Sequence, residues 1–149
     1  MYRWVLIAHN GWRWVVIVIG FAVLFCAVTR LRTGRPWDTG VARLARFFSI
    51  SVDIQVLMGA ALYLALSPLT TLVVASTDTP LPVGSQAYFL AVVHPLMMVA
   101  AFIAVHIASV LVRRARVDAA RARRALIFYG ITWLIILTGI PWWRPWIQL

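Results

Sequence analysis

The run from Tyr88 to Val112, YFLAVVHPLMMVAAFIAVHIASVLV, has 25 residues and no Asp, Glu, Lys or Arg. At about 1.5 Å of rise per residue, a helix of that length crosses a bilayer core of roughly 30 Å. The run nevertheless carries His94 and His106, two titratable groups that hydrocarbon cannot satisfy. If the helix continues through Pro95, their rings stand roughly 18 Å apart along its axis and about 120° apart around it. They cannot serve one site, and each needs its own partner.

The rest of the chain agrees with a membrane setting. Its 149 residues are 63% hydrophobic and the mean hydropathy is +0.90, values that point to an integral membrane protein. The net charge of +10 comes from arginine, which clusters between apolar runs as membrane topology requires. No stacking or groove-reading motif accompanies the arginines, so nucleic acid is not an expected partner. Cys26 is the one cysteine and forms no internal disulfide; Phe25 before it does not suit a lipoprotein signal. The first apolar run lacks a small-x-small cleavage site before Arg30 and is expected to stay as a span. The chain has no Glu, no HExxH or Walker motif and no Ser-His-acid set, so catalysis by this chain alone is not expected.

Four spans are expected, at about 4–29, 47–67, 88–112 and 125–140, within a single membrane domain. Residues 30–46 carry five arginines and residues 113–124 carry six. The other side carries Arg3, Arg13 and Arg144. The positive-inside rule puts both arginine-rich loops in the cytoplasm and both termini outside. The expected fold is an all-α integral membrane bundle of four transmembrane helices, up-down-up-down. A short interfacial or re-entrant segment is conceivable at Leu69–Ala75. Ala100, Ala104 and Ala108 form a small-residue stripe that predicts a helix-packing seam.

This topology pairs the polar residues by depth. His9 and His94 both lie near the outer ends of their spans. Two imidazoles from different helices can ligate one haem iron, with Arg13 meeting a propionate and Met97 or Met98 as a sulfur alternative. The plainer expectation is an interfacial His9 and a His94 bonded to a backbone carbonyl, for which position 91, freed by Pro95, is one acceptor. Asp53 and His106 share the inner leaflet. They could relay protons or hold a quinone headgroup, but a structural hydrogen bond between helices is the favoured reading. Copper transport would use His94, Met97 and Met98 and has less support. No CxxCH is present, so c-type haem attachment is excluded.

AHNGWRW in span 1, DIQVLMGAALYL in span 2, VVHPLMMVAAF in span 3 and the closing GIPWW resemble a group of small four-helix bacterial membrane proteins often labelled cytochrome b-like. Members often carry a histidine ahead of the span 2 glutamine. This chain has Asp53 and Ile54 there, which confines imidazole ligation to His9 and His94. The resemblance implies a multi-pass protein of the bacterial inner membrane.

The first functional expectation is a small subunit of a respiratory or photosynthetic electron-transfer system, with haem b between His9 and His94. Its partners would be the bilayer, other subunits of an energy-transducing complex, and quinone. The alternative is a structural accessory subunit with no cofactor of its own. A small transporter is third, because no span is rich in polar groups on one face.

Overall fold

A computed structural model describes residues 1–66 and 81–144. The possible re-entrant segment at Leu69–Ala75 lies outside the described residues. Four helices are long and apolar enough to cross a membrane: α1 Tyr2–Thr33, α2 Thr39–Leu66, α3 Gln86–Arg113 and α4 Asp118–Gly139. Each reaches beyond its apolar run at one end or both, because arginine-rich sequence that ends the hydropathy does not end the helix.

Local chemistry fixes the turns. Gly34 closes α1 in the left-handed region (φ 67°) and its N–H donates to the Arg30 carbonyl at 3.0 Å, a conformation that glycine adopts without a Cβ penalty. Asp38 caps α2 by accepting from the Val41 N–H at 3.0 Å and meets Arg30 Nη2 at 2.7 Å. Ser85 caps α3 by accepting from the Tyr88 N–H at 3.0 Å. At the far end of α3, Arg124 donates to the Leu111 carbonyl at 2.8 Å and Arg121 to the Ala115 carbonyl at 3.0 Å, satisfying carbonyls that a helix terminus leaves open.

Side-chain pairings show an up-down-up-down bundle. The first third of α1 meets α2 just past its middle (His9 with Gln55). The middle of α2 meets the second half of α3 (Asp53 with His106). The start of α3 meets the end of α4 (His94 with Gly139). α4 closes the ring against α1, where Trp133 Nε1 donates to the Ile17 carbonyl at 3.1 Å. Gly20 permits that approach: a Cβ there would run into the Trp133 ring. Phe48 and Tyr129 meet edge to face at the centre, with centroids 5.7 Å apart.

The outer surface is apolar too. Phe21, Phe47, Leu57, Leu64, Ile107 and Leu134 all point outward, whereas a helix of a water-soluble bundle keeps its polar residues there. On α3 the inward seam is Ala101, Val105, Ala108 and Val112. Ala108 of the expected stripe belongs to it, while Ala100 is exposed. A strict four-residue spacing drifts about 40° per step around a helix of 3.6 residues per turn, so one stripe cannot stay on one seam.

Candidate functional site

The four helices surround a half-open chamber, lined by more apolar than polar surface, at the end of the bundle where α1 begins and α4 finishes. The local rule is the same on each of the first three helices: residues four apart share a face. α1 supplies His9 and Arg13, α2 supplies Gln55, Gly59 and Tyr63, and α3 supplies His94 and Met98. Arg144 lines it from beyond α4, and the cavity measures about 130 Å³.

His9 and His94 come together here. Their ring centroids are 6.3 Å apart and their planes stand at 85°. The His94 ring meets the Gly139 carbonyl through Nδ1 at 2.7 Å. A carbonyl accepts, so Nδ1 carries the proton and Nε2 is left with its lone pair. Gly139 is available because it lies in the last turn of α4, where carbonyls have no helical partner. The expected acceptor at position 91 is occupied otherwise. Pro95 removes the N–H that would have served the Ala91 carbonyl, and Tyr63 Oη donates to that carbonyl at 2.8 Å. The chain also forms a π-helical segment at Phe89–Val93, immediately ahead of His94 and Pro95, one of the ways a helix absorbs such a disruption.

Gln55 holds His9. Its Nε2 donates to the His9 carbonyl at 3.1 Å and lies 3.3 Å from His9 Nε2. An amide N–H facing Nε2 assigns the imidazole proton to Nδ1. Three chamber atoms are buried without a hydrogen-bond partner among the described residues: His9 Nδ1, Arg13 Nε and Gln55 Oε1. Such atoms are rare in folded proteins.

Asp53 and His106 also meet, with Nε2 3.0 Å from Oδ1. They do so on the outside of the bundle, where the His106 side chain is 47% exposed and that of Asp53 32%. Gln55, two residues on from Asp53, faces inward with 9% exposure.

The donor set can be weighed against haem. Two imidazoles sharing one iron place each ligating nitrogen at ~2 Å from it, which sets the ring centres roughly 6 Å apart; the centroids here are 6.3 Å apart, but His9 Nε2 is engaged by Gln55 and Nδ1 carries the proton, so ligation requires His9 to leave Gln55. The room does not suffice. Pockets that enclose drug-sized ligands run to roughly 300–1,000 Å³, several times this cavity, so a porphyrin enters only if α1 and α3 part. Among the described residues no three His, Cys, Asp or Glu side chains gather into a metal site.

Sequence reasoning passed over three contributors. These are Gln55, Gly59 and Tyr63. A signal for Tyr63 existed in the Pro95-released carbonyl, which needs a donor from a neighbouring helix. Compared with protein-family models, curated proteins and solved structures, the chain matches none.

Proposed function

We propose that the chain is a small multi-pass membrane subunit of an electron-transfer system, and that the chamber around His9, Arg13 and His94 holds its redox group. The observation that carries this reading is the pair of half-buried imidazoles from two helices, 6.3 Å between centroids, beside atoms left without partners among the described residues. Haem b is the group whose ligation would use both rings, and its entry requires the helices to separate and His9 Nε2 to leave Gln55. A quinone headgroup suits the chamber as it stands, since a cavity of about 150 Å³ is known to hold a single six-membered ring. In the bilayer of a bacterial inner membrane both arginine-rich connections would face the cytoplasm and both termini the outside.

A reduced-minus-oxidised spectrum of the purified protein tests the haem form. A b-type α band that disappears in His94→Ala supports it, and its absence from a well-folded preparation rejects it. Reporter fusions after Arg116 should report cytoplasm and fusions after Gln86 the outside; the reverse pattern overturns the orientation.

A structural accessory subunit is the second reading, favoured by the outward-facing Asp53–His106 pair. A polar pair on an otherwise apolar face at membrane depth is costly unless another subunit covers it. A purified native assembly larger than one chain, with no absorption band, fits this reading.

A further inference from the structure

We infer that the chamber binds an oxyanion, a carboxylate or phosphate group, with Arg13 as its principal partner; this deepens the ligand-site reading above and rests on it. Arg13 is 7% exposed and its guanidinium stays charged in any protein environment. Its Nε has no hydrogen-bond partner among the described residues, and its guanidinium carbon lies 5.5 Å from the centroid of the Trp14 ring. A ring face attracts a cation but does not neutralise it.

Among the described residues no acid is available to do so. Asp38 is engaged by Arg30, Asp53 by His106 and Asp118 by Arg121, and no carboxylate lines the chamber. Arg144 lines it instead, adding a second positive charge. A buried charge with no counter-ion is among the most costly arrangements a fold can hold. An anion in the chamber removes that cost. His9 lines the same cavity as a neutral imidazole in the arrangement set by Gln55. A guanidinium fork matches the oxygens of carboxylate or phosphate, and about 130 Å³ has room for such a group but not for a large ligand.

The same chemistry has two sources, a free solute anion or the phosphate of an acidic lipid. Thermal unfolding of the purified, haem-free protein separates them. With a free anion, sodium phosphate or propionate at constant ionic strength raises the unfolding temperature saturably, and Arg13→Gln abolishes the rise. With a lipid phosphate, soluble anions do nothing, and the protein is more stable in phosphatidylglycerol nanodiscs than in phosphatidylcholine ones, again only with Arg13 present. In either case Arg13→Gln without anion is no less stable than the parent, since it removes an unpaired charge. A variant equally destabilised in every medium makes Arg13 a packing residue and overturns the inference; so does a parent indifferent to both kinds of anion. If Arg13→Gln does not fold, Arg144→Gln must weaken the anion response without abolishing it, and an unchanged response overturns the proposal. In a preparation that carries haem, Arg13→Gln must lose haem faster than the parent, because a propionate is then the anion, and equal retention overturns it. A haem band with no anion dependence would leave the redox reading standing and remove this one; an anion effect without a band would do the opposite.

Discussion

The Cε1 atom of His9 lies 3.2 Å from the point where a Cβ on Gly59 would stand. The imidazole therefore rests on the bare backbone of α2, and its position is set jointly by that contact and by Gln55. Ring and helix cannot both keep their places if a methyl group is added.

Gly59→Ala is accordingly expected to displace the His9 ring by a few tenths of an ångström. Alanine gains about 0.8–1 kcal/mol of helix propensity over glycine, while overpacking costs ~1–3 kcal/mol. Because Gln55 ties His9 at its carbonyl and faces its ring nitrogen, the ring has little freedom to yield, and the expected net effect is a loss of about 1 kcal/mol. Denaturant unfolding in a mild detergent measures it; a stabilised variant would mean that the ring yields freely.

Tyr63 and Pro95 form a second coupled pair through the Ala91 carbonyl. Tyr63→Phe should cost about 1–2 kcal/mol, the usual loss when a buried acceptor is stranded. In a Pro95→Ala background the restored N–H can serve that carbonyl, so the same change should cost less. A double-mutant cycle reads the difference, and strict additivity would disconnect the two residues.

Asp38, outside the spans, gives the expected acid response. Its carboxyl is held below the ordinary carboxylate value, first by the Val41 N–H, against a smaller opposing effect of desolvation, and then by Arg30. A lowered folded-state pKa means that the stabilisation is fully present above the ordinary value of about 3.9 and fades as pH falls through the lowered one. Asp38→Asn should remove part of that acid sensitivity while keeping a capping oxygen. Unfolding midpoints across pH 2–6 test this; parallel curves for parent and variant would contradict it.

The outward pair at Asp53 and His106 should distinguish a hydrogen bond from a proton relay. Asp53→Asn keeps an oxygen for the His106 N–H, whereas Asp53→Leu removes it, so Asn should be the milder change in assembly and stability. Equal and complete loss of a proton-coupled activity in both variants would instead indicate a relay.

The apolar runs, the arginine clusters and the Gly and Pro punctuation determine four long apolar helices and where they turn, because hydropathy and helix termination are local properties of the chain. The depth argument likewise puts His9 near His94, since residues equally far from the same end of a bundle can meet if their helices are neighbours. Rotation about each helix axis is another matter. It depends on how four surfaces pack together, and it turned Ala100 outward, sent Gln55 in and Asp53 out, and gave the Ala91 carbonyl to Tyr63 and His94 to Gly139. The same packing decided how much space remained between the imidazoles. Cavity volume is the residue of all four helix faces at once, and no single stretch of sequence carries it.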